Sequence, residues 1–234
     1  MGILSMEKTQ LIQKRMEACR SADLYDVLDK MGYPNQCLDI GMKPLKDSMK
    51  LSGPAFTLLG TREPRQYDEL GEQPFSDFRF LDEIDKGCVL VVNPESSAQA
   101  MVGSWGEMMS YGARNKGASG IVIDGGTRDK QGILDIEGWS CFARYNCPIE
   151  SNLRWRLREV NKPIFMSGTL TRLVRVNPGD WIFGDVDGVV VIPVEILDEA
   201  VEKVLALTAL EEVTRRELAS GAQLTEVFAR YHRV

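Results

Sequence analysis

The feature that most constrains the fold is a strand, a helix and a second strand that follow one another between residues 89 and 123. The run 89–92 is apolar, β-branched and bounded by a glycine and a proline, which is typical of a buried strand. Residues 104–116 can form a helix ended by Gly117, and the apolar run 121–123 predicts the second strand. A unit of this kind places its two strands parallel in one sheet. The sequence therefore predicts an α/β protein.

Two polar loops belong to this unit, one before the helix and one after the second strand. The first contains Gly106, and the second contains Arg128 and Asp129. Because the strands run parallel, we expect both loops to open at the same edge of the sheet, where open α/β sheets bind their ligands. The loops are therefore predicted to form one site.

The residues of the two loops have complementary chemistry. The backbone N–H groups of Glu107, Met108 and Met109 lie near a helix start, where they favour an anion. Arg128 offers a planar set of donors for a carboxylate or phosphate. Asp129 and Glu107 provide hard oxygen ligands that suit Mg²⁺ or Mn²⁺. The pattern indicates a site for a small anion beside a divalent metal; the alternative is a glycine-rich turn held by an Arg–Asp ion pair.

Histidine is too scarce in this chain for several kinds of catalysis. His232 is the single histidine among 234 residues. Mechanisms that need a positioned imidazole, and metal sites built from histidines, are therefore excluded within one chain. Any chemistry must use carboxylates, Arg, Lys, Tyr, bound water or a metal.

Charge, hydropathy and cysteine usage restrict the partners and the compartment. The net charge of −6 argues against a nucleic-acid-binding protein. No apolar run approaches the roughly 18 residues of a membrane span, and the first residues lack a signal-peptide pattern. The odd number of cysteines, without a CxxC pair, favours free thiols in the cytoplasm, with a reactive cysteine as the alternative. The cysteines are Cys19, Cys37, Cys88, Cys141 and Cys147.

The rest of the chain is predicted to complete a single domain over residues 1–234. Helices are expected at about 6–32 and about 194–231, and the polar stretch 61–76 is expected to be a surface loop. The arginine-rich segment 154–158 is interpreted as a solvated face, with substrate steering as the alternative. Further strands are predicted at 55–59, 140–145, 164–167, 173–176, 181–183 and 189–193.

Three motifs resemble the RraA-like family. They are Gly-Glu-Met-Met at 106–109, Ile-Asp-Gly-Gly-Thr-Arg-Asp at 123–129, and Gly-Asp-Trp-Ile-Phe-Gly-Asp-Val-Asp-Gly at 179–188 with the apolar strand after it. The family includes class II 4-hydroxy-4-methyl-2-oxoglutarate (HMG) and 4-carboxy-4-hydroxy-2-oxoadipate aldolases, as well as the regulator of ribonuclease E activity. The resemblance implies a swivelling β/β/α fold that assembles into homotrimers or homohexamers with active sites between subunits.

The resemblance also implies roles for individual residues. Asp129 would bind Mg²⁺ or Mn²⁺, partly through waters, and Arg128 would hold a 2-keto acid and stabilise its enolate. The amides of Met108 and Met109, after Gly106, would bind the substrate carboxylate, and Glu107 would orient or activate a water. An acidic residue of a neighbouring subunit would complete the site, the candidates being Glu211 and Glu212.

One position departs from the family pattern, and several alternatives remain open. The family's aldolases carry an acidic residue where this chain has Gly132, with Asp135 and Glu137 as the nearest substitutes. The favoured reaction is metal-dependent cleavage of a 4-hydroxy-2-keto acid, accompanied by oxaloacetate decarboxylation. The alternatives are a non-catalytic regulator of the ribonuclease E kind and an enzyme for another keto acid. Schiff-base chemistry on Lys116 or Lys130 is a further alternative.

Overall fold

The computed structural model describes residues 4–63, 78–95 and 101–232. Most of the polar stretch 61–76 therefore lies outside the described residues. The α-helices are α1 Met6–Arg15, α2 Ser21–Lys30, α3 Glu107–Lys116, α4 Lys130–Leu134, α5 Leu197–Ala219 and α6 Leu224–Tyr231, with 3₁₀ turns at Arg79–Glu83 and Val194–Ile196. The strands are β1 Lys43–Pro44, β2 Leu51–Arg62, β3 Val89–Asn93, β4 Gly103–Trp105, β5 Gly120–Thr127, β6 Ser140–Asn146, β7 Trp155–Val160, β8 Ile164–Ser167, β9 Leu173–Val176, β10 Trp181–Gly184 and β11 Val189–Ile192.

A mixed sheet organises the described part of the chain. Its main path runs β1-β6-β5-β3-β2-β10-β11, while β4 pairs with β5 and β7 pairs with β2. The strands β2, β3, β5 and β6 are mutually parallel, and β10 and β11 extend the sheet antiparallel. β8 and β9 form a separate antiparallel hairpin. The carboxyl ends of the parallel strands consequently share one edge.

The predicted strand–helix–strand unit is confirmed, with one correction to its helix. β3 and β5 are parallel neighbours, and α3 lies between them in the chain, ending at Gly117 in the left-handed conformation (φ 104°). The prediction that the helix begins at residue 104 is wrong, because Gly103–Trp105 forms β4 on β5 and the helix begins at Glu107. Because β4 pairs with β5, the loop before α3 is hydrogen-bonded to the strand that leads into the loop with Arg128 and Asp129.

The arginine-rich segment is a strand and not merely a solvated face. β7 pairs antiparallel with β2, and its Trp155 lies opposite Arg62. A Cβ atom at Gly60 would lie 2.1 Å from three atoms of the Trp155 indole, so the ring lies directly over the glycine backbone. Arg156 and Arg158 lie on the more exposed face of β7. Their polarity makes the strand difficult to recognise from hydropathy alone.

Both faces of the sheet are buried. One core contains Leu90, Ile121, Ile123 and Trp105, and a second contains Val89, Val91, Val122 and Phe142, as expected for parallel strands covered on both sides. A third core packs the terminal helices on β10 and β11; its largest members are Met16, Leu24, Leu28, Trp181 and Phe183. No helix of the described residues is long and apolar enough to cross a membrane.

Candidate active site

Hydrogen bonds between β4 and β5 hold the two predicted loops together. The Trp105 carbonyl accepts from the Arg128 N–H at 2.9 Å and from the Thr127 hydroxyl at 2.7 Å. The hydroxyl of Ser104 donates to the Gly126 carbonyl at 3.1 Å. Arg128 and Asp129 therefore emerge beside the residue that begins α3, as the shared sheet edge predicted.

Glycines leave the space in which the site side chains lie. A Cβ atom at Gly103 would lie 2.8 Å from Cβ of Arg128 and 3.0 Å from its backbone nitrogen. A Cβ atom at Gly106 would lie 2.7 Å from Oδ2 of Asp129. Since real Cβ contacts do not reach such distances, each glycine is needed for the close approach of the other loop.

Arg128 lies between two carboxylates. Its Nε is 3.4 Å from Oδ2 of Asp129, and one of its terminal nitrogens is 3.6 Å from Oε1 of Glu150. Both distances exceed those of good charged hydrogen bonds, and all three side chains are at least one third exposed. A ligand can therefore replace these side-chain contacts without a change in the backbone.

Glu150 is a candidate site residue that the sequence prediction missed. It follows β6, and its backbone forms a parallel bridge with Gly103 of β4. Because β6 is the parallel neighbour of β5, its carboxyl end reaches the same sheet edge. That topological signal is available from the predicted strand at 140–145 and would have identified the segment.

The start of α3 presents backbone donors to this edge. Gly106 is the N-cap in extended conformation, without a side-chain cap, and its carbonyl accepts the Ser110 N–H at 3.1 Å. The N–H groups of Glu107, Met108 and Met109 precede that first helical bond and so lack intrahelical acceptors. The Met108 side chain is 79% exposed, whereas Met109 packs against the core, which fixes the turn.

Asp129 carries an exposed carboxylate that could hold a divalent cation together with waters. Its backbone is in the left-handed region (φ 58°), which is uncommon for a residue other than glycine. Within the described residues, no group of three or more acidic, histidine or cysteine side chains could hold a metal. Mg²⁺ typically keeps several waters and uses one or two carboxylates, so the donor set fits a mostly hydrated ion.

The two candidate acids of the long helix have different surroundings. Glu211 forms a hydrogen bond with the buried Asp23 of its own chain, and its side chain is 17% exposed. The side chain of Glu212 is 59% exposed, and within the described ranges it pairs with Arg216 of its own helix at 3.0 Å. Of the two, Glu212 is the one available to a neighbouring subunit.

The alternatives based on lysine and cysteine gain no support. Lys116 lies at the far end of α3 from the site and pairs with Asp82 at 2.5 Å. Burial raises the pKa of the Cys88 and Cys141 thiols to about 12, so they remain protonated and unreactive at neutral pH. Lys130 is exposed in the first turn of α4.

Comparison with known proteins decides the family. A model described as RraA-like, Aldolase/RraA, matches residues 21–191. The chain belongs to this family. Protein DlpA of Legionella pneumophila is 31% identical over 211 residues, which are 89% of this chain but 32% of DlpA, so the chain spans about a third of that relative.

Two further Aldolase/RraA relatives match over most of their length. A Halalkalibacterium halodurans protein with the provisional name 4-hydroxy-4-methyl-2-oxoglutarate aldolase is 25% identical over 187 residues, 80% of each chain. The structure of Streptomyces coelicolor RraAS2, described as an unusual member of the RNase ES inhibitor RraA family, has a TM-score of 0.74 and 25% identity over 88% of this chain and 98% of that one. The swivelling β/β/α fold expected from the sequence motifs is confirmed.

Proposed function

We propose that this chain is a divalent-metal-dependent lyase that cleaves a 4-hydroxy-2-keto acid such as HMG to release pyruvate. The observation that carries the proposal is the placement of Arg128 and Asp129 beside the uncapped first turn of α3. An anion-binding turn, a guanidinium and a carboxylate then surround one point. The provisional aldolase name of the Halalkalibacterium halodurans relative supports the same reaction class.

The residues have distinct tasks in this reaction. The N–H groups of Met108 and Met109 bind the carboxylate next to the keto group, and Arg128 donates to the keto oxygen. A base removes the proton of the C4 hydroxyl, and the C3–C4 bond breaks as C4 becomes the carbonyl carbon of the departing fragment, which for HMG is a second pyruvate. The electron pair of the broken bond moves through C3 to the keto oxygen, which forms the enolate. Arg128 stabilises that charge, because its guanidinium donates to the oxygen on which the charge develops. A water oriented by Glu107 then gives a proton to C3, which completes pyruvate.

Asp129 would hold Mg²⁺ or Mn²⁺, which when bound supplies Lewis-acid polarisation of the keto acid. Loss of carbon dioxide from oxaloacetate produces the same pyruvate enolate, so decarboxylation of oxaloacetate belongs to the proposal. Assembly into homotrimers or homohexamers would bring Glu212 of a neighbouring copy to the site. The five free cysteines fit the reducing cytoplasm as the compartment.

The test is a coupled assay of pyruvate release from HMG and from oxaloacetate, with Mg²⁺, Mn²⁺ or a chelator. We expect Asp129→Asn and Arg128→Lys each to lower kcat/KM by about 100-fold or more, because Arg128 contacts the developing charge and Asp129 would hold the cation that neutralises it. The matched controls are Asp198→Asn and Arg15→Lys, which change exposed ion pairs between the terminal helices. Full activity in either site variant would contradict the assignment.

A non-catalytic regulator is the second candidate, favoured by the resemblance to RraAS2. It predicts that the wild-type chain releases no pyruvate from any keto acid under any metal condition and binds a ribonuclease of the E type. Retention of metal-dependent turnover that disappears with chelator would exclude it.

A further inference from the structure

Gly132 lies inside helix α4, and its backbone conformation does not require a glycine. It is not among the residues with positive φ, so any side chain could adopt its conformation. A glycine within a helix weakens it relative to alanine, because more backbone freedom is lost on folding. The position therefore lowers stability without a conformational benefit.

The Glu107 side chain, which belongs to α3, explains the glycine at position 132. A Cβ atom at position 132 would lie 2.3 Å from Cδ of Glu107, 2.4 Å from its Oε2 and 2.9 Å from its Cγ. The Glu107 carboxylate thus occupies the space that a side chain at 132 would fill. By contrast, a Cβ atom at Gly112 in α3 would meet only Cδ1 of Leu81, at 3.3 Å.

The carboxylates of Glu107 and Asp129 each lie against a glycine of the opposite segment. Glu107 lies over Gly132, which follows Asp129 in the chain, and Asp129 lies against Gly106, which precedes Glu107. Each carboxylate therefore lies against a glycine of the segment that carries the other carboxylate, one residue from Glu107 and three residues from Asp129. A methyl group at Gly132 would overlap side-chain atoms of Glu107, whereas one at Gly106 would overlap the Asp129 carboxylate and crowd the Arg128 side chain.

We infer that Gly132 is a positioning residue: it leaves the space that the Glu107 carboxylate occupies at the sheet edge where Arg128 and Asp129 emerge, and so sets that carboxylate for its proton-transfer role. The inference rests on the proposed function. Misplacement of a reacting group by about 1 Å can lower a rate about 100-fold, so an alanine methyl at 132 is enough to matter. Alanine at position 132 would therefore favour the helix but lower the activity.

A double-mutant cycle of Gly132→Ala and Glu107→Ala tests the inference through melting temperature as well as turnover. Without the Glu107 side chain, Gly132→Ala should raise Tm by about 2–4 °C, the gain expected from alanine in a helix of a chain this size. With Glu107 present, the gain should vanish or reverse. Gly112→Ala is the matched control, whose effect on Tm should be the same in both backgrounds.

The kinetic side of the cycle uses the pyruvate-release assay. Gly132→Ala should lower kcat about 10- to 100-fold with little change in KM, and it should add no further loss to Glu107→Ala. Equal Tm shifts in both backgrounds together with multiplying losses in kcat would overturn the inference. A wild-type chain without turnover would overturn the proposed function alone, since the melting temperatures still decide whether Gly132 seats Glu107.

Discussion

Arg128 is the side chain on which most of the proposed chemistry depends, and its anionic neighbours compete with the substrate. Asp129 is 3.4 Å from one guanidinium nitrogen and Glu150 is 3.6 Å from another. A keto acid that binds to the same guanidinium nitrogens would replace one of these contacts. Glu150, which is 55% exposed, is the contact that costs least to release.

Glu150→Gln should therefore tighten the binding of an anionic substrate analogue. We expect the dissociation constant for oxalate to fall about 2- to 5-fold, the size typical of an exposed ion pair, and the gain to shrink at high salt. Isothermal titration calorimetry at low and high ionic strength measures both. Glu159→Gln, which changes an exposed pair with Arg158, is the control; unchanged or weaker oxalate binding by Glu150→Gln would contradict the competition.

The residue scale also shows what the sequence could not decide. The motif at 123–129 contains two aspartates, and the order of residues does not say which one serves the site. Asp124 accepts from Arg144 at 2.5 Å and from the Ser167 N–H at 2.7 Å, and so joins β5 to β6 and β8. Among the described residues, the ion pair that Asp129 forms is the long contact with Arg128 at 3.4 Å, which leaves its carboxylate for a ligand.

At the scale of elements, β7 depends on one glycine of β2. The Trp155 indole covers Gly60, and β2 and β7 change register next to that residue. The predicted strand at 55–59 is confirmed as part of the longer β2, Leu51–Arg62, and β7 pairs with the last residues of β2, 58–62. The alternation of arginines with apolar residues in β7 was read as a polar face because its pairing partner is distant in sequence.

Gly60→Ala should destabilise the fold by about 1–3 kcal/mol, because the new methyl group overlaps the indole and the strand pair must shift. The measurement is the urea midpoint followed by tryptophan emission. Gly188→Ala is the control, since a Cβ atom there would meet nothing within 4 Å. Equal midpoints for the two variants would show that the ring moves away freely.

The contact between α2 and α5 contains a pair of carboxyl groups, one from the buried Asp23 and one from the partly buried Glu211. Asp23 is 4% exposed, and burial, followed by its hydrogen bond and charge interaction with Glu211, raises its pKa above 3.8. Thr208 donates to it, and Arg20 partly opposes the shift. Since the folded pKa is raised, the stabilisation from protonated Asp23 is complete below about pH 3.8 and is lost as pH rises through the folded pKa.

Asp23→Asn should therefore raise the free energy of unfolding at pH 7 by on the order of 1 kcal/mol, with the advantage shrinking toward pH 4. Asparagine keeps an acceptor for Thr208 and a donor for Glu211. Chemical unfolding between pH 4 and pH 8 measures the difference. The exposed Asp29 of the same helix supplies the control Asp29→Asn; an advantage that grows toward low pH would contradict the sign.

At the scale of the whole molecule, the pattern of strands and helices was largely predictable. Parallel strands buried on both faces give continuous apolar runs, and the terminal helices show clear amphipathic repeats. The elements that were missed are the short ones, β1, β4 and α4, together with β7. Their conformations are set by partners far away in sequence, such as β6 for the two residues of β1.

The candidate site could be predicted for the same reason, because topology brings the ends of parallel strands together. Gly106, Glu107, Arg128 and Asp129 follow from the order of elements alone. The seating of each carboxylate on a glycine of the other loop could not be predicted, since it depends on distances of about 2–3 Å between segments whose approach no sequence pattern encodes.

The central claim is that Asp129 holds a divalent cation while Arg128 holds the keto acid beside it. Crystals grown with Mn²⁺ and oxalate, a planar analogue of the pyruvate enolate, test it through the anomalous signal of manganese. We predict one manganese peak at the Asp129 carboxylate, with oxalate contacting the Arg128 guanidinium and the N–H groups that begin α3. Manganese bound elsewhere, or oxalate bound without Arg128, would contradict the account.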